Sequence, residues 1–242
     1  MKQFNERTHL IQFIERAMRR QGGRALDVGC GRGENLQLMR RLGHNVVGVD
    51  VNPAHVTAAH EQGFEAYTSE EFAAVRDQFD LVLMSHVIEH FDPQSLLGFI
   101  DCYADRLCGG GHLIIVTPTL WRRFYCEFDH VRPYTPHGIE AVFSEPESQV
   151  QFHSRNHLTL VDLALRKKPR RVPDPVMRTA MRFNRYRAYK LPYRLQTLGF
   201  RFLYALTAGC WGGEITGWVG LFQKHKQDDS GHNASASGAS AS

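Results

Sequence analysis

Residues 24–52 read RALDVGCGRGENLQLMRRLGHNVVGVDVN. Ala25–Val28 and Val46–Val49 are short apolar runs, and Glu34–Leu42 between them has helical apolar spacing. The first run therefore predicts a strand, followed by a helix and a second strand. The strand-to-helix junction is Gly29-Cys30-Gly31-Arg32-Gly33. Glycine permits a tight turn there and lets the backbone approach a ligand closely. The spacing is G-x-G-x-G with Asp27 two residues ahead, which differs from the G-x-G-x-x-G of dinucleotide-binding folds. The second run ends at Val49-Asp50, where an acid can accept hydrogen bonds from both hydroxyls of a ribose.

The same alternation continues outward. Further apolar runs are Phe64–Tyr67, Leu81–Met84 and Leu113–Val116, separated by helical patterns at Pro53–Gln62, Glu70–Arg76 and Pro93–Leu107. Asn52-Pro53 and Asp92-Pro93 each place a capping side chain before a proline at the first helical position. Thr68 to Glu71 fits a capping box. Near-continuous apolar strands alternating with helices predict an α/β fold, a parallel sheet covered on both faces. An amphipathic helix over Gln3–Arg20 precedes this core and stops at Gly22-Gly23, and the core ends near Phe143. A strand is expected within Val150–Leu165, and Gly217–Gln223 (GWVGLFQ) reads as a closing strand. The expected organisation is one domain over residues 1–224, with a basic helical insertion at about 166–212 and a disordered tail over 225–242.

Composition narrows the class. The chain has 242 residues, 43% hydrophobic and 22% charged, with a net charge of +4, which excludes collagen-like and wholly disordered chains. No apolar run reaches the ~18 residues of a membrane-spanning helix, and the N-terminal stretch has no apolar segment typical of a secretory signal. Five cysteines without a C-x-x-C pair predict reduced thiols and a cytoplasmic protein. Charge is unevenly spread. Arg166–Arg201 holds 12 Lys/Arg against Asp174 alone, while the remainder holds 17 basic and 24 acidic residues. A mildly acidic body with a basic insertion implies an anionic partner near that insertion.

The runs LDVGCGRG, VVGVD, FDLVLMSHVIEHF and Gly109-Gly110-Gly111 followed by HLIIVTP lie in order over residues 24–118. With these motifs the chain resembles the class I S-adenosylmethionine (SAM)-dependent methyltransferases. The resemblance implies a Rossmann-like seven-stranded sheet of order 3-2-1-4-5-7-6 with the last strand antiparallel. It implies SAM as methyl donor and S-adenosylhomocysteine as product. Asp27, Gly29, Cys30, Gly31 and Gly33 then hold the amino-acid part of SAM, and Asp50 the ribose. Val51 and Asn52 lie beside the adenine edge, Ser69 or Glu70 contacts the adenine, and Ser85 and His86 face the sulfonium and substrate.

His86-Val87-Ile88-Glu89-His90 also fits the letters H-x-x-E-H of inverted zinc peptidases. Asp92-Pro93 starts a new helix just beyond, so these residues read as a strand-end loop, and the peptidase reading is set aside. Small-RNA 2′-O-methyltransferases resemble the chain at their E-x-x-E-H with a downstream histidine, which offers Glu89, His90 and His130 as metal ligands; His86 stands where their first Glu does, which weakens the case for a hard ion. The same I-E-H letters occur in metal-independent relatives such as quinone methyltransferases, and no metal is assigned. His130 follows the fifth strand, and a histidine there can deprotonate a hydroxyl. Asp129 can orient it, or the pair can simply pin a loop. The catalytic candidates are His130, His90, Glu89 and His86.

The basic insertion interleaves charge with Phe183, Tyr186, Tyr189, Tyr193 and Phe200. This pattern suits an anionic membrane interface, an RNA surface or a solvated lid. Leu195, Leu198, Phe202 and Leu206 share a helical face and favour the membrane. The expectation is O-methylation of a small, lipid-linked or glycan acceptor, with peripheral contact to the inner membrane face and nucleic acid less favoured. The rivals are a metal-assisted RNA ribose methyltransferase and a non-catalytic SAM-binding subunit.

Overall fold

The computed structural model describes residues 5–143, 151–172 and 174–226. Seven strands form one sheet: β1 (Arg24–Val28), β2 (Asn45–Asp50), β3 (Glu65–Thr68), β4 (Phe79–Ser85), β5 (Leu107–Pro118), β6 (Leu158–Pro169) and β7 (Gly213–Lys224). Their order is β3-β2-β1-β4-β5-β7-β6. The first five strands run parallel, and β7 is antiparallel to both β5 and β6. This is the fold class and strand order expected from the sequence.

Period-two alternation divides the core into two layers. Val82, Met84, Leu113, Ile115, Trp218 and Phe222 face one side. There they meet α4 (Ser69–Phe72), α5 (Pro93–Ala104) and α6 (Pro136–Val142) through Phe72, Ile100 and Ile139. Leu81, Leu83, Ile114, Val116, Val219 and Leu221 face the other side. They pack on α1 (Glu6–Ala17) through Leu10, Phe13 and Ile14, and on α2 (Glu34–Arg41) through Leu38 and Met39. A third cluster joins Cys30 and Leu36 to Val56 and Ala59 of α3 (Pro53–Glu61). Each fully buried aliphatic or aromatic side chain here contributes ~1.5–3 kcal/mol. The central strands thus need apolar residues on both faces, which is why they read as unbroken apolar runs.

The capping expectations hold in detail. Asn52 accepts from Ala54 N, Asp92 accepts from Gln94 N and Ser95 N, and Thr68 and Glu71 form a reciprocal box. The third-strand helix is only the single turn Ser69–Phe72, shorter than the expected Glu70–Arg76. Ala73 and Ala74 already bond three residues back, to Glu70 and Glu71. The helix expected over Gln3–Arg20 spans Glu6–Ala17, with Asn5 as its cap; residues 3 and 4 lie outside the described residues.

Two boundaries move. β6 runs through Pro169, so Arg166, Lys167 and Lys168 belong to a strand and not to the helical insertion. The insertion proper holds α7 (Pro175–Ala180), a 3-10 segment Asn184–Tyr189 and α8 (Lys190–Leu206). At the other end, His225 N still donates to the His157 carbonyl, so the ordered chain passes residue 224. The tail expected to be disordered lies, from residue 227 on, outside the described residues.

Candidate active site

The C-terminal ends of parallel strands are where crossover helices begin and where an open α/β sheet leaves a crevice. β1 ends in the glycine loop. Gly29, Gly31 and Gly33 have φ of +75°, +51° and +82°, a backbone region that L side chains rarely adopt. A Cβ on Gly29 would also lie 2.6 Å from Val87 Cγ2, so the loop touches the turn after β4. Gly31 faces open space and donates its N–H to Asp50 Oδ2 at 2.8 Å. Cys30 differs from its neighbours. Its side chain is buried in the third core cluster, its N–H bonds to Val49 and its carbonyl accepts from Gly33. Burial, with Asp27 and Asp50 nearby, pushes its thiol up to about 12. Cys30 therefore shapes the loop from below and offers it no free polar group.

Asp27 is wholly buried beneath the loop, and neither carboxylate oxygen has a partner at hydrogen-bonding distance. Burial pushes its pKa up to about 7; the Asn35 side chain offsets part of this and the charge of Asp50 adds to it. An orphaned buried carboxylate is costly, and it suits a cationic ligand group arriving from the crevice. Asp50 accepts from Gly31 N, from Asn52 N at 2.8 Å and from His55 Nδ1 at 3.1 Å. A carboxylate has about four acceptor positions, so three are in use. Holding both hydroxyls of a ribose requires an internal donor to release, and His55 is the one on a side chain free to turn. Val51 is 83% exposed, and Asn52 is exposed and caps α3. Ser69 is exposed at the start of α4 and Ser85 ends β4, half-buried. The crevice therefore has what SAM requires: a buried anion, an open backbone loop and a carboxylate at the second strand end.

A second group lies after β4. Glu89 is wholly buried, accepting from Thr117 Oγ1 at 2.9 Å and facing His86 Nδ1 at 3.1 Å. Its carbonyl accepts from Val131 N and Arg132 N, which fastens the loop after β5 onto this turn. That loop carries His130 to His90, their ring centroids 5.1 Å apart. His130 Nδ1 faces the Phe124 carbonyl at 2.8 Å and His90 Nδ1 faces the Asp129 carbonyl at 3.1 Å. A carbonyl only accepts, so each Nδ1 carries a proton; Nε2 of His90 is left as a basic or ligating nitrogen, and Nε2 of His130 becomes one once it parts from Glu127. His130 Nε2 lies 3.3 Å from Glu127, and Asp129 pairs with His90 and not with His130. The ligand atoms of Glu89, His90 and His130 all lie within 4.8 Å of one another. Forty residues of chain separate these groups, and the structure brings them together.

His86 is not one of that trio but touches it through Glu89. It adopts φ +57° and places its ring between Glu89 and Glu6 of α1. Burial acts to lower its pKa, but the two carboxylates outweigh it and push the imidazole up to about 9. Arg166 joins the same group through Glu6. Sequence reading singled out neither Glu6, Arg166, Thr117 nor His55. The first two are brought together by strand order across 160 residues, and only the His55 spacing from Asp50 on one helix start was available as a local signal.

Comparison with known proteins agrees with this fold. A family model described as a methyltransferase domain matches residues 2–157. The ubiquinone biosynthesis O-methyltransferase of Nitrobacter winogradskyi is 29% identical over 154 residues, 58% of this chain and 58% of that one. That of Cereibacter sphaeroides is 37% identical over 106 residues, 40% of this chain and 42% of its own. The chain thus matches less than two thirds of the length of these relatives. A SAM-dependent methyltransferase from Archaeoglobus fulgidus superposes with a TM-score of 0.54 at 19% identity, covering 92% of this chain and 96% of that one, a likeness of fold. With the glycine loop, the strand order and the matched domain together, the chain belongs to the methyltransferase-domain family.

Proposed function

We propose that the chain methylates a hydroxyl oxygen on a small, lipid-like acceptor of the quinone type at a membrane surface. The observation that carries this is the face of α8. Leu191, Leu195, Leu198, Phe202 and Leu206 recur at helical spacing, and each is 58–69% exposed. Tyr204, on another side of the helix, is buried and donates to the Lys167 carbonyl, so it fastens α8 while the apolar stripe stays outward. Lys190, Arg194 and Arg201 lie on the same helix and suit anionic headgroups. No described helix is long and apolar enough to cross a membrane. The names of the curated relatives support an O-methyl transfer on a lipid-like substrate.

When bound, SAM supplies an electrophilic methyl group. Asp27, the glycine loop and Asp50 bind and orient it, and positioning provides most of the rate. His130 Nε2 takes the hydroxyl proton, with Nδ1–H held by the Phe124 carbonyl. Glu89 fixes the turn that carries His90. The test is incubation of the protein and a native extract with SAM labelled in its methyl group, with and without EDTA, followed by separation into lipid, glycan, RNA, protein and small-molecule pools. EDTA-insensitive label in the lipid pool is the expected result.

The proximity of Glu89, His90 and His130 favours one other reading, a divalent ion held by these three that activates a ribose hydroxyl. EDTA-sensitive label in RNA would select it. SAM binding without label in any pool would point to a non-catalytic subunit.

A further inference from the structure

Arg166 lies on β6 opposite Gly217 of β7. A Cβ at residue 217 would be 2.8 Å from Arg166 Nη2 and 2.9 Å from Cζ, so only glycine leaves room for the guanidinium. Its Nε donates to Thr216 Oγ1 at 3.2 Å and its Nη2 to the Thr216 carbonyl at 2.8 Å. Those two bonds fix the guanidinium plane and turn Nη1 outward. His86 Nε2 lies 3.4 Å from that Nη1. The far nitrogen of the His86 ring is held by Glu89, so this ring is fixed as well.

Two anchored nitrogens therefore stand side by side, and one carboxylate bridges them. Glu6 places Oε2 on Arg166 Nη1 and Oε1 on His86 Nε2, the latter at 3.3 Å. Glu6 is the first residue of α1, and the helix is held independently by Leu10, Phe13 and Ile14 on the sheet. The position opens to solvent, with the Glu6 side chain 28% and His86 42% exposed. It also adjoins the cofactor loop, because Val87, next to His86, is the residue that a Cβ on Gly29 would strike. The φ of +57° at His86 is a strained conformation for a side chain of this kind, and such strain collects at ligand clamps.

We infer that Arg166 and His86 form a recognition site for a carboxylate carried by the methyl acceptor, and that Glu6 fills it in the free chain as an internal carboxylate. The inference rests on the reading that the acceptor lies at the end of β4. Arg166 supplies a permanent charge and His86 a second donor, the two-point geometry suited to one carboxylate group. The acceptor then enters by displacing the first residue of α1, which loosens the start of that helix while its apolar anchors hold.

The test is a titration of the ¹⁵N-labelled full chain with benzoate in the presence of S-adenosylhomocysteine, following backbone amide shifts. Benzamide is the uncharged control. Glu6→Gln removes the competing carboxylate, and benzoate is expected to bind it about tenfold more tightly than the wild type, with benzamide binding neither. Glu6→Gln/Arg166→Met is expected to lose that gain. If the double variant does not fold, as judged by circular dichroism, Glu6→Gln/His86→Asn serves instead and is expected to lose most of it. Equal benzoate affinity in wild type and Glu6→Gln, or retention of the gain in the double variant, overturns the inference. Benzoate has no hydroxyl, so this readout is independent of methyl transfer. Benzoate binding at the clamp, with no oxygen-methylated product in any pool of the labelled-SAM extract incubation, would refute the proposed function and leave the carboxylate site standing.

Discussion

Replacing Asp27 by Asn separates what this residue does for the fold from what it does for the cofactor. Asp27 is wholly buried, its two oxygens lack hydrogen-bond partners, and burial raises its pKa from 3.8 to about 7. A raised carboxyl pKa means that the folded chain holds a proton which the unfolded chain has released between about pH 4 and pH 7. Stability therefore falls as pH rises through that window. For a shift of this size the linkage amounts to ~2–3 kcal/mol between pH 5 and pH 8. At ~2–4 °C per kcal/mol for a chain of this size, the midpoint of melting drops by ~4–12 °C from this group alone. Asn has nearly the same volume and no titration, so Asp27→Asn removes that pH dependence. Any constant cost of burying the amide cancels when the two proteins are compared across pH. The assay is thermal melting of both proteins from pH 5 to pH 8, monitored by circular dichroism, without ligand. The gap between their melting temperatures should shift in favour of the variant by those few degrees as pH rises. SAM should reverse the ranking. Its cationic amino group requires the ionised carboxylate, so wild-type affinity should fall by up to tenfold per pH unit below about pH 7. Affinity of the variant should be weaker and flat. Parallel melting curves for the two proteins would refute the argument that Asp27 is a destabilised buried acid kept for a cation.

Asp50→Ala should weaken SAM by ~1–3 kcal/mol in titration calorimetry, since it removes the acceptor at the second strand end. His130→Ala should leave SAM affinity unchanged and cut single-turnover rates by ~10²–10⁴, and an unchanged rate would reduce His130 to a loop residue. Reversing four charges within Arg178–Arg187, or introducing Phe202→Glu on the exposed stripe, should abolish binding to anionic vesicles in a flotation assay and spare turnover of a soluble acceptor. Leu83→Ala in the central strand, where the side chain is fully buried, should cost ~2–5 kcal/mol in urea unfolding.

Local chemistry made much of this molecule legible in the sequence. The order of apolar runs, the cap before Pro53, the cap before Pro93 and the Thr68–Glu71 box are decided by residues within a few positions of one another, and each appears where expected. The glycine loop and Asp50 were equally readable, because a turn that forces φ above zero restricts which residues can occupy it. Reading by composition alone misplaced Arg166. It looked like one more cation in a basic insertion, yet its place opposite Gly217 makes it a buried strand residue. Cys30 was likewise grouped with the loop by position, while its side chain points into the core. The convergence of Glu6, His86, Glu89 and Arg166, and of His130 with His90, depends on the strand order and on the antiparallel insertion of β7 between β5 and β6. Sequence by itself determined the apolar strands, the caps and the glycine loop, because these follow from local backbone and capping preferences. Only the tertiary structure decided which charged groups meet beyond the end of β4, because contacts across 160 residues are set by how the strands are ordered and not by any spacing along the chain.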